Sequence, residues 1–113
     1  MNLETHITFD DVLLVPQYSD IKSRTEVTLA SEMSEGVELR VPIISAPMDT
    51  VCGRLMAERM AEFGALGIVH RYNTIEKQAN IVSQASEAGA KNIGAAIGIT
   101  GDYLERAAAL VEA

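Results

Sequence analysis

The chain has 113 residues, and its 16 acidic side chains against 9 basic ones give a net charge of −7, which argues against the basic patch of a nucleic-acid binder. No apolar run approaches the roughly 18 residues that span a bilayer, and a lone cysteine, Cys52, excludes an internal disulfide. The composition is 48% hydrophobic but only 4% aromatic, so Ile, Leu, Val, Met and Ala must build the core. The N-terminus lacks a basic stretch followed by an apolar run, so no signal peptide is expected and the expected location is cytoplasmic.

Residues 1–40 read as an N-terminal extension. Val12 to Val15 is a short apolar run ended by Pro16. Thr25 to Leu29 and Val37 to Arg40 alternate, with Ser34-Glu35-Gly36 as a turn between them. This pattern predicts a β-hairpin that caps one end of the remaining chain.

Residues 41–113 carry a repeat. Glu62-Phe63-Gly64-Ala65 returns as Glu87-Ala88-Gly89-Ala90, and Glu112-Ala113 begins the next copy. Each Glu closes an amphipathic stretch, and Gly64 and Gly89 stand where a helix C-terminus favours a left-handed residue. The runs Val41 to Ile44, Leu66 to Val69 and Ile93 to Ile97 are apolar without alternation, as in strands buried on both faces of a parallel sheet. Strand and helix therefore alternate three times, an α/β pattern whose spacing near 25 residues favours a (β/α)₈ barrel over an open sheet. Such a barrel takes about 250 residues, so the expectation is an incomplete one and a piece of a longer chain.

Three apolar stripes are expected to face the core: Leu55, Met56, Met60 and Phe63; Ile75, Ala79, Val82 and Ala85; Leu104, Ala107, Ala108 and Val111. Asp102-x-x-Glu105 and Asn73-x-x-Glu76 read as capping boxes, and Asp49 as a cap for the first helix.

Chemistry in such barrels sits at the C-terminal ends of the strands. Three loops qualify: Ser45 to Val51, His70 to Asn73, and Gly98 to Asp102. The third lacks the G-x-G-x-x-G spacing of a dinucleotide fingerprint. His70 is either a satisfied structural residue or part of a site. Met48 either fills the barrel mouth or meets a ligand. Cys52, near the start of the first helix, reads as structural.

Four stretches carry a specific resemblance. Thr8-Phe9-Asp10-Asp11-Val12-Leu13-Leu14-Val15-Pro16 is similar to the N-terminal signature of the IMP dehydrogenase and GMP reductase family. Pro42 to Val51 resembles its first strand and loop, Gly64 to Arg71 with Ile75 to Gln78 its second unit, and Gly94 to Gly98 its third strand. The resemblance implies a TIM (β/α)₈ barrel, of which this chain supplies a hairpin extension and the first three βα units. It implies an oxidoreductase that converts IMP to XMP with NAD as hydride acceptor, attack on the purine coming from a cysteine in a later loop that is not Cys52. It further implies a potassium ion near that loop, held by residues outside this chain, and a homotetramer. Ala46 and Met48 match substrate-contacting positions; Thr100 matches a region near the dinucleotide, and His70 is assigned to the same side.

Pro47 favours the dehydrogenase. Gln78 to Gly89 runs straight into the third strand, without room for the regulatory CBS pair that most dehydrogenases insert; this resembles the reductases and the minority of dehydrogenases without those modules, and it keeps GMP reductase, with NADPH, as the alternative. A flavin-dependent barrel shares the Pro42 to Met48 opening but not the Asp49-Thr50-Val51 continuation. A non-catalytic interaction module is the remaining alternative.

Overall fold

The structure is a computed structural model that describes residues 4–113. Residues 1–3, part of the expected N-terminal extension, lie outside the described residues.

The extension opens on a 3₁₀ turn, Phe9–Asp11, fixed by reciprocal capping. The Thr8 hydroxyl accepts from the Asp10 amide, and the Asp11 carboxylate accepts from the Thr8 amide at 2.8 Å. The apolar run Val12 to Val15 lies exposed, with Leu13 and Leu14 almost wholly in solvent. A second 3₁₀ turn, Arg24–Glu26, comes after it.

The hairpin pairs β1, Ser31–Ser34, with β2, Val37–Leu39, antiparallel. Its turn falls at the expected place, and Gly36 adopts a φ of 78°. The first strand does not: Thr25 to Leu29 form no strand. The Ser23 hydroxyl accepts from the Thr25 amide and the Ser23 carbonyl from the Glu26 amide. These local bonds take up donors a ladder would need. Leu39 is buried, and the Asn92 side-chain amide donates to the Glu38 carbonyl at 3.1 Å. The hairpin thus abuts the N-terminal end of the parallel strands.

Those strands are β3, Gly67–Val69, and β4, Ile93–Ala95, paired in parallel with Gly67 opposite Ile93 and Val69 opposite Ala95. The expected first strand is a shorter feature, a single parallel bridge from Ile44 to Leu66. Its backbone nevertheless continues the parallel pattern: the Val41 amide donates to Gly64, the Leu66 amide to Ile43, and the Ser45 amide to Leu66. Pro42 has no N–H to add.

Three helices alternate with these segments: α1, Arg54–Glu62; α2, Ile75–Glu87; and α3, Tyr103–Glu112. Each ends on the Glu of the repeat. Gly64 and Gly89 follow α1 and α2 with φ of 74° and 94°. The α/β architecture with parallel strands is as the sequence indicated.

The buried stripes differ from expectation. In α1, Leu55, Met56 and Phe63 are exposed, and Ala57 is the residue wholly buried. The cause is close approach: a Cβ on Gly67 would stand 2.5 Å from the Ala57 Cα, so helix and strand touch backbone to backbone. In α3, Leu104, Ala108 and Val111 are exposed, and the inner face carries half-buried Tyr103 and Leu110 with buried Arg106. The α2 stripe fares better: Ala85 is buried, Val82 packs on the core, and Gln78 lies fully buried among them. Cys52, Ala57, Val69 and Ala85 form the core cluster, lined by Ile81, Val82, Ala90, Ile93 and Ala95.

The caps also shift. α2 is capped by Thr74, whose hydroxyl accepts from the Lys77 amide at 3.2 Å, not by Asn73. α1 begins after Gly53, not at Asp49, because the chain first turns through Val51 and Cys52, whose amides both donate to the Met48 carbonyl. Asp102 is the N-cap residue of α3, but its carboxylate is held by Arg106 rather than by a backbone amide. Among the described residues no helix is long and apolar enough to cross a membrane.

Candidate functional site

The three loops leave the C-terminal ends of neighbouring parallel segments, so they share one end of the sheet. The opposite end holds the hairpin and the C-termini of α1 and α2. There Arg59, hydrogen-bonded to Glu62, is raised above its ordinary pKa by that bond and the adjacent carboxylate charge.

The first loop begins at Ser45. Its amide donates to Leu66, and its hydroxyl accepts from the Ile68 amide at 3.0 Å. One side chain thereby continues the ladder past the point where the main chain departs. Beyond it the loop doubles back: the Met48 amide donates to the Ala46 carbonyl at 2.9 Å, and the Met48 carbonyl accepts from Val51 and Cys52 at 3.0 Å. This tight turn leaves the Met48 side chain about half exposed and Ala46 in solvent. Cys52 sits under the turn, fully buried as a free thiol, just ahead of α1 rather than inside it.

The second loop is tied to the first by the His70 amide, which donates to the Cys52 carbonyl at 3.3 Å. His70 Nδ1 accepts from the Tyr72 amide at 3.2 Å, which leaves Nε2 as the protonated nitrogen when the ring is neutral. The imidazole is half-buried and runs beside the Tyr72 ring, centroids 6.5 Å apart. The third loop carries exposed Thr100 ahead of Gly101, whose φ of 69° turns the chain into α3. It approaches the second loop at Gly98, where a Cβ would stand 3.1 Å from Arg71 Nη1.

Ala46, Met48, His70 and Thr100 therefore lie on loops at one end of the sheet. Backbone bonds join the loops of Met48 and His70 through Cys52, whereas Thr100 stands apart from both on the neighbouring loop. His70 is partly a structural residue, since one ring nitrogen is spent on Tyr72.

Sequence reasoning missed the buried polar side chains beneath these loops. Gln78 is fully buried and Arg106 nearly so, and they hydrogen-bond to each other at 2.8 Å. A signal existed: Gln78 stands three residues after Ile75 and four before Val82, a polar residue inside an apolar stripe. Among the described residues no three of His, Cys, Asp and Glu gather as they would to hold a metal ion.

The sequence matches the family model of the IMP dehydrogenase / GMP reductase domain over residues 6–113. It is 43% identical to an inosine-5'-monophosphate dehydrogenase of Nitrosopumilus maritimus over 102 residues, 90% of this chain and 21% of that one. An inosine-5'-monophosphate dehydrogenase of Staphylococcus saprophyticus is 49% identical over 78 residues, 69% of this chain and 16% of its own. A GMP reductase of Leishmania donovani is 42% identical over 82 residues, 73% of this chain and 17% of its own. The chain thus spans between about a sixth and a fifth of the length of these relatives. With a family match that runs through the hairpin, all three helices and all three loops, the chain belongs to the IMP dehydrogenase / GMP reductase family.

Proposed function

We propose that this chain works as part of an NAD-dependent oxidoreductase that converts IMP to XMP in guanine nucleotide synthesis. In this reading residues 1–40 are an N-terminal extension and residues 41–113 are the first three βα units of a TIM (β/α)₈ barrel. The observation that carries it is the family match over residues 6–113, laid on parallel segments whose C-terminal loops carry Ala46, Met48, His70 and Thr100.

The residues present divide the work. Ala46 offers a surface without side-chain bulk, and Met48 a polarizable thioether suited to an aromatic face. Both are open to a purine laid across the first loop. His70 Nε2 and the Thr100 hydroxyl are available to polar edges of a dinucleotide at the next two strand ends. They fit an outlying contact with NAD rather than a pyrophosphate cradle, because the third loop lacks the glycine spacing of one. NAD, when bound, accepts a hydride. The potassium ion is proposed for the catalytic loop of the complete enzyme, and no residue of this chain is assigned to it. The proposed enzyme is a cytoplasmic homotetramer without nucleic-acid or membrane partners.

One observation favours a second reading, GMP reductase. The connection from α2 to β4 is only Ala88 to Asn92, so no regulatory module separates the second and third units. The test is a paired assay of the complete enzyme containing this chain. NADH formation from IMP and NAD supports the dehydrogenase; NADPH oxidation dependent on GMP, without the first activity, replaces it with the reductase.

A further inference from the structure

Beneath the second and third loops lies a polar cluster that neither catalysis nor a simple apolar core requires. Gln78 comes from the inner face of α2. Its Nε2 donates to two carbonyls, Val69 at 3.3 Å and Ala96 at 2.9 Å, where the two strands give way to their loops. Its Oε1 accepts from Arg106 Nη1. Arg106, on α3, also donates from both terminal nitrogens to the Asn73 carbonyl at 3.3 Å and from Nη2 to Asp102 Oδ2 at 2.8 Å.

The cluster therefore grips both loops at both of their ends. Val69 and Asn73 bracket the second loop, and Ala96 and Asp102 bracket the third. A planar guanidinium with five donors in a fixed fork can hold several such acceptors at set angles, which an ammonium cannot. Burial raises the stakes, because in a low-dielectric site each unmade bond is costly and each made one is stiff. A second contact points the same way on the solvent side: the Arg71 guanidinium packs so close over Gly98 that a Cβ there would crowd it.

We propose that Gln78 and Arg106 are positioning residues that lock the loops 70–74 and 96–102 into one unit, so that His70 and Thr100 keep a fixed relation. This rests on the reading of those loops as nucleotide-facing, but the coupling itself can be measured without a ligand.

The experiment is amide hydrogen exchange, read residue by residue by NMR, on the full chain and two variants. Gln78→Glu keeps an acceptor for Arg106 but has no donor for the two carbonyls. Arg106→Ala removes the fork and leaves a space that added ethylguanidinium can refill. Exchange is expected to rise roughly tenfold in both loops together in each variant, while the hairpin and α1 stay near wild type. Ethylguanidinium should restore both loops in Arg106→Ala and neither in Gln78→Glu. A rise confined to one loop, no rise, rescue of one loop alone, or a uniform rise through hairpin and α1 in both variants overturns the proposal. Titration with IMP or NAD is a separate measurement; its failure counts against the nucleotide reading and leaves the exchange result to decide the coupling.

Discussion

Two residues of the first loop do different work at close quarters. Ser45 is nearly buried and its hydroxyl satisfies the Ile68 amide. Replacing it with Ala leaves that donor without its partner, which should lower stability by about 1–3 kcal/mol. Urea unfolding of Ser45→Ala beside wild type checks this, and an unchanged midpoint would show that water replaces the hydroxyl. Met48, by contrast, serves the fold mainly through its backbone, and 51% of the residue is exposed. A purine laid on it would cover that surface, and full burial of such a side chain is worth about 1.5–3 kcal/mol. Met48→Ala in the complete enzyme should therefore raise the KM for the nucleotide by about tenfold, with a smaller change for NAD. An unchanged nucleotide KM with a normal kcat would remove Met48 from the site and leave Ala46 as its contact on this loop.

Element contacts depend on how small residues are placed. Helix α1 meets β3 where Ala57 faces Gly67, and the atom that a side chain on Gly67 would meet first is backbone. Gly67→Ala should push the helix off the strand at a cost of about 1–3 kcal/mol. Trimming the partner with Ala57→Gly should not rescue it, because the obstacle is Cα and not a methyl group. Thermal unfolding of the single and double variants decides the point; recovery in the double would place the clash in the side chain. This contact also explains what the sequence showed and what it hid. The helix ends at Glu62, Glu87 and Glu112 were legible, since the glycines after the first two have a backbone requirement that leaves a local mark. The inner faces of α1 and α3 were not. Periodicity ranks residues by hydrophobicity, and here the core takes an Ala and a paired Arg while Leu55 and Leu104 stay outside. Likewise Thr25 to Leu29 alternated like a strand, but the Ser23 and Thr28 hydroxyls bind nearby amides and hold it in local turns. Of the site, the three loops could be placed from the sequence, whereas the Gln78 and Arg106 network joins residues 28 apart that no local pattern connects.

At the scale of the whole chain the mass is spread rather than compact. The radius of gyration is 18.4 Å, against about 13 Å for a compact domain of this size. Ile7, Phe9, Leu13, Leu14 and Tyr18 stand in solvent along the N-terminal extension, and Ile43 and Ile44 on the first parallel segment. The 113-residue chain alone should yield no NADH from IMP and NAD above a blank, because the cysteine implied for the reaction is not among its residues. Spectrophotometric assay of the purified polypeptide checks this, and any IMP-dependent NADH would require a nucleophile within these three units. The exposed surface should also bind a dye such as ANS with a marked rise in fluorescence, and a signal at the level of a compact protein would show that the extension folds back. The short parallel sheet carries a further liability. Among the described residues β4 has one neighbour, β3, so its other flank presents bare amides and carbonyls along Ile93 to Ala95. Such a flank is a template on which another extended segment can pair, and in the proposed barrel a further parallel strand would take that place.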